Sequence, residues 1–174
     1  KHRMYRGVTT GYNDAFIIDE PTRLALIDED QSSKNIIKPM IRGEDLRPWY
    51  QIHSGEYLIF TRRGIRITDF PAVKRHLEGF REFLEPKPED WNESKQGKWR
   101  GRKSGAYQWY EIQDQTTYYE EFEKPKVFWA EISKLPRFSW DKDGLFASNK
   151  GHILIPTGAY ILGLLNSRVT WFVM

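Results

Sequence analysis

The chain has 174 residues, a net charge of +3, an aromatic content of 15% and no cysteine. This length suits about one domain, and the lack of cysteine excludes a disulfide framework and a thiolate metal site. The four histidines are too far apart in sequence for a helical pair of metal ligands, and no apolar run reaches the roughly 20 residues that span a bilayer. We therefore expect one cytoplasmic, metal-free domain without a membrane segment.

The first predicted feature is a glycine-bracketed turn at residues 7–11, which leads into an apolar strand ending at Ile18. Thr9, Thr10 and Asn13 are candidate ligand contacts, because hydroxyl and amide groups on such a turn can approach a ligand closely. The same residues also build ordinary turns, so both interpretations stay open. The glycine spacing matches neither Gly-x-x-x-x-Gly-Lys-Ser/Thr nor Gly-x-Gly-x-x-Gly, which disfavours a nucleotide site.

The apolar run Leu24–Ile27 predicts a second strand in a hairpin arrangement. The next stretch, Ile36–Tyr50, is called the basic strap here, because it places Lys38, Arg42 and Arg47 among apolar residues and two prolines. The prolines restrict the backbone, so we expect neither a long helix nor a central strand. Because the cations stand on a restrained backbone, we predict that the strap is a binding surface. The alternative interpretation is an irregular connection whose cations are only solvated. The apolar residues expected to anchor the strap are Ile36, Ile37, Met40, Ile41, Leu46 and Trp49.

Tyr57–Phe60 predicts a third strand, and Arg62 and Arg63 follow it directly, which enlarges the predicted basic surface. A helix is predicted next, opening at Pro71 and stopping before Pro86, because apolar residues recur at helical spacing. These residues are Val73, Leu77, Phe80 and Leu84.

A long polar loop is predicted at 86–105, and it contains Lys95–Lys103, which is called the basic loop here. The basic loop has five cations and no carboxylate in nine residues, with Trp99 in the middle. Each cation can neutralise a phosphate and release counterions, and an aromatic ring can stack on a base. A solvated loop without a ligand is the alternative. The candidate phosphate contacts are Lys98, Arg100, Arg102 and Lys103.

The remaining elements are predicted, in order, as an ordered aromatic segment, a short helix, a buried strand, a hairpin and a closing amphipathic helix. Their bounds are Trp109–Ile112, Tyr118–Glu123, Pro125–Trp129, Phe138–Trp140 paired with His152–Ile155, and Ala159–Met174. The predicted fold class is α+β, with a mixed sheet, an amphipathic helix after the third strand and a closing carboxy-terminal helix.

Six segments occur in an order that is typical of a known family. They are Gly7–Ile18, Ile36–Leu46, Tyr57–Phe60, Trp109–Ile112, Lys124–Val127 and Leu164–Ser167. In this order the chain resembles the TaqI-like C-terminal specificity domain, which is the target recognition domain of adenine-specific DNA methyltransferases and of type IIG enzymes. The likeness covers nearly the whole chain. The Leu-x-x-Arg element usual in that family is replaced here by Leu84–Lys87, so the family's loop contacts are not transferred to this chain.

The resemblance implies that residues 1–174 form one recognition domain for duplex DNA, within a larger prokaryotic-type restriction-modification enzyme. It further implies a catalytic methyltransferase domain on the same polypeptide, with S-adenosylmethionine as cofactor and Mg²⁺ as a further candidate. The sequence itself contains neither an Asn-Pro-Pro motif nor a glycine-rich cofactor site. We therefore expect no catalytic residue, cofactor or metal in this chain.

The candidate DNA contacts combine the turn, the strap, the cations after the third strand, the basic loop and one aromatic residue. They are Thr9, Thr10, Asn13, Lys38, Arg42, Arg47, Arg62, Arg63, Lys98, Arg100, Arg102, Lys103 and Trp109. Within this set, at least one of Arg42, Arg47 and Asn13 is predicted to read a base edge, because arginine pairs with guanine and asparagine with adenine in the major groove.

Two other functions stay open at this point. A single-stranded nucleic-acid or RNA module would use Trp49, Trp99 and Trp109 as stacking platforms. A metal-dependent nuclease would use Asp69 with the Glu-x-Lys segment at 85–87. The predicted helix between the two acids disfavours the nuclease, since four turns would hold them roughly 20 Å apart.

Overall fold

A computed structural model describes residues 3–155 and 158–173 of the chain. The strands are β1 (Arg3–Arg6), β2 (Ile17–Asp19), β3 (Ile37–Ile41), β4 (Glu56–Ile59), β5 (Lys126–Ala130), β6 (Ser139–Asp141), β7 (Phe146–Ala147) and β8 (Gly151–Ile155). The α-helices are α1 (Asn13–Phe16), α2 (Glu20–Glu29), α3 (Pro71–Glu78), α4 (Arg81–Leu84), α5 (Glu93–Gln96), α6 (Ala159–Leu165) and α7 (Arg168–Val173). Short 3-10 helices lie at Gln31–Asn35, Gly43–Asp45, Ile67–Asp69 and Tyr119–Glu123. The predicted α+β class is confirmed.

The chain divides into two compact units, each built from separate segments of the sequence. The first unit consists of Lys1–Val8, Pro39–Glu56 and Thr116–Met174. The second unit consists of Thr9–Lys38 and Tyr57–Gln115. The basic strap therefore belongs mainly to the first unit, whereas the basic loop and residues 9–11 of the amino-terminal turn belong to the second.

The first unit is built on an antiparallel sheet in the order β1-β8-β5-β6. The predicted hairpin between 138–140 and 152–155 is wrong, because β5 lies between those two strands: Val127 pairs with Trp140 on one side and with Leu154 on the other. Phe138 and Leu162 pack with Val127 in the core, so α6 covers this sheet. The apolar alternation found the strands, but it does not say which strands are neighbours.

A buried ion pair joins two strands of that sheet. The Lys126 ammonium on β5 bonds the Asp141 carboxylate on β6, and both side chains are fully buried. Burial lowers the pKa of Lys126, while the bond to Asp141 opposes that shift. Asp141 also accepts from the backbone N–H of Asp143 at 3.0 Å and of Leu145 at 3.1 Å, so the pair holds the loop that follows β6.

The second unit has a helix where the sequence predicted a strand. Leu24–Ile27 lies inside α2, so the predicted second strand and its hairpin are wrong. The Asp19 carboxylate caps this helix by accepting from the Thr22 N–H at 3.0 Å, and Pro21 occupies the first turn. These are ordinary helix-start signals, and they outweigh a run of four apolar residues of which only Leu26 is buried.

The basic strap begins as a strand, so the expectation that no central strand fits there is wrong. In the second unit, β2, β4 and the start of β3 lie in that order, and Phe60 N–H donates to Ile36 C=O at 2.7 Å. In the first unit, Met40 and Ile41 of β3 pair in parallel with β7. Pro39 removes one donor only, and the parallel pairing starts after it.

Two predicted helices are each interrupted once. The helix at 71–84 breaks at Gly79, between α3 and α4, although Val73, Leu77 and Leu84 are fully buried as expected. The closing helix breaks at Asn166, where the side-chain amide donates to Phe138 C=O at 2.8 Å and accepts from Phe138 N–H at 3.1 Å. The predicted end at Met174 falls outside the described residues. None of the helices within 3–155 and 158–173 is long and apolar enough to cross a bilayer.

Candidate nucleic-acid interface

Arg42 in the strap is held by an acidic partner. Its guanidinium bonds both Glu56 carboxylate oxygens at 2.5 Å, and its backbone N–H donates to Asp45 at 2.6 Å. Such a bidentate pair orients the guanidinium strongly. Arg42 would therefore have to exchange the Glu56 contact to read a base.

Arg47 and Trp49 occupy the exposed end of the strap. The Arg47 guanidinium donates to the C=O groups of Glu44 and Leu46 at 2.6 and 2.9 Å. Trp49 has φ 81° and is 52% exposed, so its predicted role as a core anchor is wrong. Its backbone is fixed by hydrogen bonds to Phe138 and Trp140. The other five apolar residues of the strap are buried as expected.

The amino-terminal turn uses its polar groups internally. The hydroxyl of Thr10 is buried and donates to the Asn13 side-chain oxygen at 2.7 Å. Thr9 and Thr10 accept backbone hydrogen bonds from Asp114 and Gln113 through their C=O groups. Asn13 itself is exposed, so it is the most accessible polar side chain of this turn.

Arg102, a predicted phosphate contact, lies in the interior of the second unit and is 3% exposed. Its guanidinium donates to five backbone C=O groups at 2.7 to 3.3 Å, those of Leu84, Thr10, Glu111, Gln108 and Trp109. Burial lowers the pKa of Arg102 to about 10. A DNA contact would break these bonds, so we assign Arg102 to the scaffold and leave it out of the proposed contact set.

Arg63 and Trp109 also contribute to the scaffold. Arg63 donates to the C=O groups of Ile112 and Gln113 at 3.0 and 2.8 Å, and it pairs with the buried Glu111 carboxylate at 3.3 Å. Trp109 is only 9% exposed, and the Arg81 guanidinium covers its ring at 4.5 Å. These positions leave neither side chain free to contact a ligand without rearrangement.

The basic loop is tied to the scaffold at its base. Arg102 N–H donates to Glu85 C=O at 3.0 Å, and Lys87 N–H donates to Arg102 C=O at 2.9 Å. Trp99 packs edge-to-face on Trp91, with ring centres 4.8 Å apart, beside a cavity of about 240 Å³. The loop is thus anchored at both Arg102 and Trp99.

Exposed cations remain on this anchored loop. Lys98 and Lys103 are exposed, and neither forms an ion pair within the described ranges 3–155 and 158–173. Arg100 pairs with Glu82 at 2.5 Å, but both side chains are mostly exposed, so that pair is weak and exchangeable. Arg62 is exposed after β4 and Lys38 is half-buried on β3, and each makes contacts with the rest of the protein.

Sequence reasoning missed an open depression in the second unit, beside Arg63. Arg66, Gln108 and Tyr110 contribute to its lining. Gln108 and Tyr110 flank the buried Trp109, so the Trp-Tyr segment that carries the family resemblance was the available signal. Only the fold showed that its neighbours face a shared concave surface.

The acids of the nuclease alternative are engaged elsewhere. Asp69 pairs with Arg66 at 3.0 Å, and Glu85 pairs with Arg81 at 2.8 Å. Within the described part of the chain, no group of three or more His, Asp or Glu side chains could hold a metal ion. The geometry therefore gives the nuclease alternative no support.

The family model of the TaqI-like C-terminal specificity domain matches residues 38–174. The chain belongs to this family, as the six ordered segments predicted. The same fold occurs in the solved structure of the Type IIL restriction-modification enzyme MmeI in complex with DNA, with a TM-score of 0.61 at 14% identity. That match covers 96% of this chain and 21% of the MmeI chain, so this chain spans about a fifth of that enzyme's length. No protein of curated function matches the sequence.

Proposed function

We propose that this chain recognises a short sequence in duplex DNA and directs an adenine-N6 methyltransferase of a restriction-modification system to it. The observation that carries the proposal is the membership of residues 38–174 in a family of specificity domains. The MmeI structure supports it, because an enzyme with this fold in one part of its chain is there in complex with DNA.

The electrostatics of the second unit agree with a polyanionic ligand. Lys98, Arg100 and Lys103 present exposed charge from an anchored loop, and each cation that meets a phosphate releases counterions. Phosphate contacts position a protein on DNA, whereas side chains at base edges supply the sequence preference. The loop cations therefore suit the positioning role.

In this proposal the chemistry belongs to a methyltransferase domain on the same polypeptide, in a cytoplasmic enzyme. S-adenosylmethionine supplies the methyl group there, and Mg²⁺ would be needed if that enzyme also cleaves DNA. The residues of this chain bind and select the target. Arg42, Arg47 and Asn13 stay candidate base readers, of which Asn13 needs the least rearrangement because it is already exposed.

Competition between nucleic acids tests the proposal. A labelled duplex pool bound to the purified chain should be displaced by unlabelled duplex at a far lower concentration than by single-stranded DNA or RNA of the same length. Displacement by single strands at equal or lower concentration would instead support the alternative, a single-stranded nucleic-acid or RNA module. The absence of any binding to duplex at low salt would refute the proposal.

A further inference from the structure

An open depression of about 570 Å³ lies on the second unit, between residues 63–68 and residues that follow the basic loop in sequence. Its lining combines a cation, an amide, a phenol ring and a glycine. These are Arg66, Gln108, Tyr110 and Gly64, and the lining also includes Arg63 and Glu111. Arg66 is 81% exposed, and Gly64 has φ 76° with open space where a Cβ would stand. The depression thus presents polar groups beside apolar ones and is open to a large ligand.

The backbone that carries Gln108 is fixed from both sides. Glu111 N–H donates to Gln108 C=O at 2.9 Å, which closes a turn, and Gln108 N–H donates to the Glu111 carboxylate at 2.9 Å. The same carboxylate accepts from Gly64 N–H at 2.6 Å, so it joins both walls of the depression. The buried Arg102 guanidinium also donates to the C=O groups of Gln108 and Trp109.

The Gln108 side chain differs from the predicted base readers, because it is not engaged. It is exposed, and within residues 3–155 and 158–173 its amide has no hydrogen-bond partner. Arg42 and Arg47, in contrast, are bonded to Glu56 and to backbone C=O groups. A free amide on a fixed turn is available for direct base reading, since only the side chain needs to be ordered on binding.

We propose that Gln108 is a specificity-determining residue, which reads an adenine edge in the major groove from this depression. The glutamine amide can donate to adenine N7 and accept from adenine N6, a pair that the other bases do not offer in the same geometry. Arg66 meets the adjoining phosphate by exchanging its exposed pair with Asp69. This inference rests on the proposed DNA recognition and deepens it.

Selection from a duplex pool with a randomised central segment tests the inference. Wild type, Gln108→Ala, Gln108→Glu and Gln115→Ala are compared, since Gln115 is exposed in the same unit but does not line the depression. Gln108→Ala should lose about 5- to 150-fold discrimination at one adenine position, the range that one bidentate pair supplies. Gln108→Glu should also lose it, because a carboxylate cannot donate to N7. Gln115→Ala should match wild type.

The outcomes separate this inference from the proposed function. If wild type selects no sequence, the proposed function fails and the inference fails with it. If wild type selects a sequence and both Gln108 variants keep the same preference at every position, only the inference is overturned. Melting temperatures within a few degrees of wild type show that the exposed substitutions leave the fold intact.

Discussion

At the scale of single residues, charge alone does not distinguish a ligand contact from a structural donor. Arg100, Arg102 and Lys103 lie within four positions, yet Arg102 is buried under the loop and the other two are exposed. The difference follows from the five C=O groups that converge on Arg102, since buried acceptors need donors. Those acceptors come from residues 10, 84, 108, 109 and 111, which no local pattern connects.

Arg102→Ala should therefore act on stability. It leaves buried acceptors without a donor, and because each such group costs about 1–3 kcal/mol, the free energy of unfolding should fall by at least about 3 kcal/mol. Urea denaturation followed by tryptophan fluorescence measures this. Arg100→Ala is the matched control, and as a surface change it should stay within about 0.5 kcal/mol of wild type. If the Arg102→Ala protein is as stable as wild type but binds DNA more weakly, Arg102 is a phosphate contact and not a scaffold residue.

Among the described residues, Trp49 is the non-glycine residue with positive φ. At such a position we expect glycine to be more stable than alanine, which is the reverse of the usual order. Trp49→Gly should be more stable than Trp49→Ala by about 1 kcal/mol, because both remove the ring and only glycine relieves the left-handed backbone. Thermal denaturation of the two variants gives the comparison. Tyr50, which is also exposed but lacks positive φ, should show the opposite order, with alanine more stable than glycine. Equal stability of the two Trp49 variants would mean that the conformation carries no strain.

At the scale of elements, the basic loop provides a charge test that excludes the buried arginine. Lys98→Ala, Arg100→Ala and Lys103→Ala combined should weaken binding to all duplexes alike. Each lost phosphate contact should flatten the slope of log K against log salt by about 0.9. Fluorescence anisotropy at several salt concentrations measures the slope.

The control variant removes the same number of positive charges from the same unit, at positions outside the basic loop. Lys34→Ala, Lys74→Ala and Arg75→Ala combined should leave the slope near that of wild type. An unchanged slope for the loop variant would show that its cations are only solvated. Equal flattening in both variants would show that net charge, and not the loop, sets the salt dependence.

At the scale of the whole molecule, the chain should bind without catalysing. Incubation with S-adenosylmethionine, Mg²⁺ and plasmid should give neither methylation nor cleavage, because the sequence has no Asn-Pro-Pro motif and the described residues contain no metal-ligand cluster. Methyl incorporation and gel mobility are the two measurements. The longer enzyme proposed above, with a methyltransferase domain, would be the positive control, and activity that copurifies with this chain alone would contradict the assignment.

Local signals determined much of this protein by themselves. The ordered segments predicted the family, because each can be recognised from its own residue pattern without knowing which segments it packs against. The short helix at 118–123 and the strand at 125–129 were also found, because apolar spacing and flanking polar residues specify them locally. The basic loop was visible as a run of cations.

Tertiary structure decided which strands are neighbours and which cations are free. Strand β5 separates the two strands predicted as a hairpin, because pairing partners are chosen by packing across the whole first unit. Arg42, Arg63 and Arg102 are neutralised or buried by groups far away in sequence, whereas Gln108, one uncharged residue beside a buried tryptophan, is left unengaged. Sequence specifies the chemistry that a side chain can perform, but the surroundings that satisfy or expose it exist only after long-range contacts have formed.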